Sequence, residues 1–72
     1  MKETYVRGFK VSYEDSAKKG IDYLLYDLDQ EEAKVFFEQA KQKKEARFED
    51  DEERQFTLSY SPDGSYTLGR RN

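Results

Sequence analysis

The sequence predicts a small α+β fold, in which one α-helix packs on one face of an antiparallel β-sheet of about five strands. Three observations predict it. Apolar residues alternate with polar ones near both ends of the chain, a helix start signal lies in the middle, and a turn motif lies near the C-terminus. A chain of 72 residues forms one domain, and we expect its ends to fray at about 1–3 and 70–72.

The composition combines features of disordered and folded chains. Charged residues make up 40% of the chain and hydrophobic residues only 35%, a balance that is typical of disorder. Aromatic residues, however, make up 15%, and disordered segments are poor in them. Because each ring can bury roughly 150–250 Å², we expect a small core built around the rings, with modest stability.

The first predicted strand runs from about Thr4 to Tyr13, with the order of predicted elements being ββαβββ. Val6, Gly8, Lys10 and Ser12 form one face of this strand, a mostly polar set that we expect to meet water. The following segment, 14–20, is polar and ends in Gly20, a pattern that predicts a loop. On the face of the first predicted strand that should meet the core, every residue except Arg7 is apolar. These core-facing residues are Tyr5, Phe9, Val11 and Tyr13.

The segment 21–28 fits two structures. Because it is short, follows Gly20 and is apolar on both faces, we favour a strand that is buried on both sides. The alternative is a helix that begins at about Asp15. The aromatic Tyr23 and Tyr26 favour the extended chain, whereas helical spacing is shown by Ile21, Leu24, Leu25 and Leu28.

A helix is predicted from Asp29 to about Lys44 or Glu45. Asp29 and Glu32 have the spacing of a capping box, which marks a helix N-terminus. Lysines in the last turn complement the helix dipole. The predicted buried stripe consists of Ala33, Phe36, Phe37 and Ala40, extended by the stem of Lys44.

Three short strands are predicted after the helix, around 46–48, 56–60 and 66–68. Five consecutive acids at 49–53 should form the turn between the first two. The segment 61–65, Ser-Pro-Asp-Gly-Ser, has the chemistry of a type I turn followed by a glycine bulge. The resulting register pairs Tyr60 with Tyr66, Leu58 with Leu68, and Ser59 with Thr67.

The residue content argues against catalysis. The chain has no Cys and no His, which excludes thiol nucleophiles, disulfides and the usual zinc sites. Its four glycines are isolated, so there is no phosphate-binding loop. The acids at 49–53 lack the alternating spacing of a calcium-binding loop. We therefore expect a protein that is not an enzyme and that holds no metal or cofactor.

Leftover apolar surface predicts a binding role. The segment 21–28 is apolar on both faces, and Val35 lies opposite the buried stripe of the predicted helix. We therefore predict a protein-binding surface on the sheet around Tyr23 and Tyr26, together with Val35. The partner would be another protein or a second copy of the chain, since tyrosine gives large contact areas at low entropic cost.

Nucleic-acid binding is the alternative. It would require the end of the helix and the C-terminus to lie close together. The net charge of −3 argues against binding by bulk charge. The residues that would contact phosphate are Lys41, Lys43, Lys44, Arg47, Arg70 and Arg71.

The sequence has no apolar run long enough for a membrane span and no signal peptide, so we expect a cytoplasmic protein without membrane contact.

Overall fold

A computed structural model describes residues 1–71 and shows a five-stranded sheet packed against a layer of helices. The α+β class and the strand number are as predicted. The helical layer contains a 3-10 turn, Asp15–Ala17, helix α1, Lys18–Asp22, a π-helical turn, Tyr23–Asp27, and helix α2, Gln30–Lys43. The strands are β1, Lys2–Val6, β2, Phe9–Tyr13, β3, Glu45–Glu49, β4, Gln55–Tyr60, and β5, Tyr66–Arg70.

The sheet is mixed, with the strand order β1-β2-β5-β4-β3. Three of its pairs are antiparallel, but β2 and β5 are parallel. The prediction of a wholly antiparallel sheet is therefore wrong. Parallel neighbours need a long crossover, and the segment between Tyr13 and Tyr66 supplies it by carrying both helices, β3 and β4.

The predicted first strand is in fact a hairpin. Arg7 and Gly8 have φ angles of 52° and 88°, which are the values of a two-residue type I′ turn. Val6 therefore pairs with Phe9 and shares its face of the sheet. As a result Val6 is fully buried, and Tyr5, which we expected in the core, faces the other side and is 68% exposed.

The predicted loop at 14–20 and the predicted strand at 21–28 are both wrong, because this segment is helical from Asp15 onward. The alternative helix is correct. Ala17, Ile21 and Leu24 are buried at helical spacing. Gly20 lies inside α1 and faces the sheet. The observed order is thus ββααβββ, and the second helix is the one that the sequence predicted.

Helix α2 begins as predicted. The N–H of Glu32 donates to the Asp29 carboxylate at 2.8 Å, and the N–H of Asp29 donates to the Glu32 carboxylate at 3.2 Å. The helix ends at Lys43, and Lys44 adopts a left-handed conformation with a φ of 74°. Lys44 is exposed and does not extend the buried stripe. In that stripe Ala33, Phe37 and Ala40 are fully buried and Phe36 is half-buried.

The predicted C-terminal hairpin is confirmed in turn and register. Tyr60 pairs with Tyr66, Leu58 with Leu68, and Ser59 with Thr67. Gly64 has a φ of 91°, and the N–H of Ser61 donates to the carbonyl of Ser65 at 2.9 Å.

At the chain ends, Lys2 and Glu3 are paired within β1 and Arg70 within β5. The fraying predicted for Asn72 lies outside the described residues. No helix within residues 1–71 has the length and apolar character that crossing a membrane requires.

Candidate functional site

The two tyrosines predicted to bind a partner lie in the helical layer and not on the sheet. Both belong to the π-helical turn, because the segment that we interpreted as a strand is helical. Tyr26 is 77% exposed. Tyr23 is half-buried, and its ring stacks on Phe48 with a centroid distance of 5.9 Å. Tyr26 follows Tyr23 by three residues in the same turn.

Val35 extends this region on α2. Its side chain is 59% exposed. Phe36, the next residue, packs on the ring of Phe48 at a centroid distance of 5.2 Å. Tyr23 stacks on the same ring. Glu32 lies one turn earlier on the same side of α2 as Val35. Val35 thus lies one helical turn from Glu32, whose charge acts on Tyr23.

Carboxylates from three separate segments lie near enough to Tyr23 for their charge to act on its phenol. Burial raises the pKa of the Tyr23 phenol, and the negative charges of Asp51, Asp27 and Glu32 raise it further. Within residues 1–71 none of these three carboxylates makes an ion pair. We name this region the tyrosine-acid surface and define it by Tyr23, Tyr26, Asp27, Glu32, Val35 and Asp51.

The acidic loop that carries Asp51 is well ordered by its own hydrogen bonds. The buried Asp50 carboxylate accepts from the backbone N–H groups of Glu52, at 3.0 Å, and Arg54, at 2.9 Å. It also accepts from Nε of Arg54 at 2.6 Å. Burial opposes ionisation of Asp50, but these donors hold its pKa below the usual value. The predicted turn at the acids is thus correct, and the hydrogen bonds of Asp50 hold the loop that carries Asp51.

The basic residues of the alternative site are divided between the two ends of the sheet. Lys44 lies at the end where the N–H of Tyr60 donates to its carbonyl, at 3.0 Å. Arg70 pairs with Phe56 at the far end of β4 and β5. Strands rise about 3.3 Å per residue, so the backbones of Tyr66 and Arg70 are ~13 Å apart. The end of α2 and the C-terminal arginines therefore do not adjoin.

The remaining basic residues do not join the two groups. Lys41 and Lys43 are exposed in the last turn of α2, on the Lys44 side. Arg47 lies in the middle of β3 on the face of the sheet away from the helices, where it forms an ion pair with Glu45 at 3.3 Å. Arg71 is exposed, and its Nε donates to the carbonyl of Phe56 at 3.4 Å. No single basic patch results.

The helices leave one face of the sheet and its two outer edges uncovered. The helical layer covers one face of the sheet, and the other face carries mostly polar side chains, such as Ser12, Thr57 and Thr67. β1 forms one outer edge of the sheet and β3 the other. On β1 the exposed Tyr5 projects from the uncovered face, a position that follows only once the Arg7-Gly8 turn is known.

No arrangement that could hold a metal ion is found among residues 1–71, where no three acidic side chains cluster at the required spacing. Comparison with protein-family models, with curated proteins and with solved structures gave no match.

Proposed function

We propose that the protein is a non-enzymatic binding module that recognises another protein through the tyrosine-acid surface. The observation that carries this proposal is the exposed ring of Tyr26, 77% accessible, in the same turn as Tyr23, on whose phenol three carboxylates act that form no ion pair within residues 1–71. Exposed tyrosines supply contact area at low entropic cost, and a surface of this kind differs from the scattered apolar residues of an ordinary exterior.

The chemistry of the surface favours a partner segment rich in Lys or Arg. Asp27, Glu32 and Asp51 would attract such a segment, and the Tyr26 ring face offers a cation–π contact. Val35 adds an apolar contact at the border of the surface. The surface is also pre-organised, because Tyr23 is held by Phe48 and the acidic loop by Asp50. Pre-organised contacts lose less entropy on binding.

The test is affinity capture with matched variants. The parent protein is compared with the double variant Tyr26→Ser, Val35→Ser and with a control double variant, Lys41→Ser, Lys43→Ser, on another part of the exterior. Each lysate is run with and without nuclease. The captured protein is then purified, and its affinity for all three proteins is measured by calorimetry at two salt concentrations.

A captured protein whose affinity falls about tenfold or more with Tyr26→Ser, Val35→Ser, and not with the control, supports the proposal. Weaker binding at higher salt is expected, because the carboxylates contribute long-range attraction. Equal affinity for both double variants would refute the proposed surface. Retention of nucleic acid that is lost with Lys41→Ser, Lys43→Ser would instead support the phosphate-binding alternative.

A further inference from the structure

The outer edge of β1 has the geometry of an unfilled strand-pairing site. β1 runs without a bulge from Lys2 to Val6, each residue facing one residue of β2, and it contains no proline. In a two-residue hairpin the residues that flank the turn form a hydrogen-bonded pair, and the pairs then alternate. Backbone hydrogen bonds to β2 are therefore formed by Val6, Thr4 and Lys2. The backbone N–H and C=O groups of Glu3 and Tyr5 point away from β2, toward the outer edge.

The charged side chains at this edge are engaged in ion pairs and hydrogen bonds within the same chain. The Nζ of Lys2 is paired with Asp15 in the helical layer at 3.1 Å. The guanidinium of Arg7 points into the same layer, where it donates to backbone carbonyls. Glu3 is paired with Lys10 at 3.8 Å.

β3, the other outer strand of the sheet, differs from β1 because every second residue on its exposed side is charged. These residues are Glu45, Arg47 and Glu49. At the β1 edge Lys2 and Glu3 each have an ion-pair partner of opposite charge.

We propose that the occupant of this edge is a second copy of the same chain, with the two β1 strands pairing antiparallel about a two-fold axis at Thr4. This register overlaps all five residues and places Glu3 opposite Tyr5 of the second copy. Moving the register one way places Glu3 opposite itself, which like-charge repulsion disfavours. Moving it the other way, to pair Tyr5 with itself, shortens the overlap to three residues.

Charge complementarity across the axis supports a second copy as the occupant. The antiparallel arrangement brings the Lys2 end of each strand beside the Val6 end of the other. Arg7 fixes Leu28 at the Val6 end by a 2.7 Å hydrogen bond, and Asp27 and Asp29 flank Leu28 in the chain. Lysine at one end thus approaches carboxylates at the other, and symmetry makes this contact twice.

The first test is sedimentation analysis of the parent, Tyr5→Glu and a control, Gln39→Glu, at an exposed site of α2 outside both surfaces, over concentrations up to about 1 mM, where a Kd near 1 mM corresponds to ~4.1 kcal/mol. We expect the parent and the control to approach twice the chain mass of 8.6 kDa. Tyr5→Glu places a carboxylate opposite Glu3 on both sides of the axis, so its Kd should rise about tenfold or more. The exposed position beside Lys10 should tolerate the change in the monomer.

A parent that stays monomeric at all concentrations, or a dimer that Tyr5→Glu leaves unchanged, would overturn the inference. Amide hydrogen exchange of the parent gives an answer that does not depend on how any variant folds. The N–H of Tyr5 should exchange quickly when dilute and more slowly when concentrated; equal rates at both concentrations would contradict the pairing. Tyr5 is not a residue of the tyrosine-acid surface, which shares only Asp27 with the proposed contact, so Tyr5→Glu itself should leave capture of a partner protein unaffected.

Discussion

The guanidinium of Arg7, in the turn between β1 and β2, donates a hydrogen bond of 2.7 Å to the carbonyl oxygen of Leu28, just beyond the π-helical turn. It donates a second bond of 2.8 Å to the carbonyl of Leu25. Carbonyls at the end of a helix lack intrahelical partners. The Arg7 side chain therefore connects the tip of the first hairpin to the end of the π-helical turn.

This double role leads to a prediction for Arg7→Asn. Asparagine suits the left-handed turn position better than arginine does, so a purely local effect would stabilise the protein. The variant, however, loses both bonds to the carbonyls, and hydrogen bonds from charged donors contribute about 1.5–3 kcal/mol. We expect a net loss of about 1–2 kcal/mol in urea unfolding. A variant as stable as the parent would show that the turn conformation outweighs the contact.

Gly20 provides a second test, because its role is contact and not flexibility. A Cβ atom at this position would lie 2.9 Å from Cδ2 of Leu68 and 2.9 Å from Cδ1 of Phe56, both fully buried side chains. Alanine normally stabilises a helix relative to glycine by about 1 kcal/mol. Here we expect Gly20→Ala to destabilise by about 1–3 kcal/mol because the core is overpacked.

The control for this prediction is Gly69→Ala. A Cβ atom on Gly69 in β5 would meet no atom within 4 Å. Its effect on thermal unfolding should therefore be small or slightly stabilising. Equal effects of the two substitutions would contradict the close approach of α1 to the sheet.

The parts of the fold that the sequence could predict are those coded by adjacent residues. The capping box at Asp29 and the turn around Gly64 are local signals, and both elements formed as expected. The Arg7-Gly8 turn was missed because arginine is an unusual first residue for its type. The face of Tyr5 was then wrong as well, since a two-residue turn reverses the alternation.

Other features depend on contacts between distant segments. The helical spacing of 17–28 is present in the sequence, but Gly20 resembles a loop residue until its contact with Leu68 is known. The parallel pairing of β2 with β5 has no local signal. The exposure of Val35 followed from its position opposite the buried stripe. The action of Asp51 on Tyr23 joins residues far apart in the chain, so the sequence could not show it.

Phe37 should be the largest single contributor to the packing of α2. It is fully buried, stacks on Phe9 at a centroid distance of 4.4 Å, and meets the edge of Tyr66 at 4.9 Å. Phe37→Ala should reduce the free energy of unfolding by about 3–5 kcal/mol because it leaves a cavity. Val35→Ala, two residues earlier and exposed, should change it by less than about 0.5 kcal/mol. Comparable losses would refute the assigned buried face.

Lys44 has a conformation that a glycine would adopt more easily. Its φ of 74° lies in the left-handed region, where a Cβ atom costs about 1–2 kcal/mol. We expect Lys44→Gly to raise the free energy of unfolding by about 0.5–1 kcal/mol, since glycine is favoured directly after a helix. Lys43→Gly, one residue earlier and inside α2, should lower it by about 1 kcal/mol. Opposite signs for adjacent positions would locate the helix end, and equal signs would contradict it.

Asp50 makes a contribution to stability that depends on pH. Burial works against its charge, but the donors from Arg54 and the backbone hold its pKa below the ordinary value of about 3.9. A carboxyl group with a lowered folded-state pKa stabilises the protein fully above the unfolded pKa. That contribution is lost as the pH falls through the folded pKa.

Asp50→Asn should therefore be about 1–3 kcal/mol less stable than the parent in urea unfolding at neutral pH, because the charged acceptor of the loop is gone. The difference should shrink as the pH falls below about 4, where the parent carboxylate becomes protonated. Asp51→Asn, at an exposed neighbour without an ion pair, should have little effect at either pH. A loss for Asp50→Asn that is the same at neutral and acid pH would show that the ionised carboxylate is not the stabilising group, and the position of Asp51 beside Tyr23 would need another support.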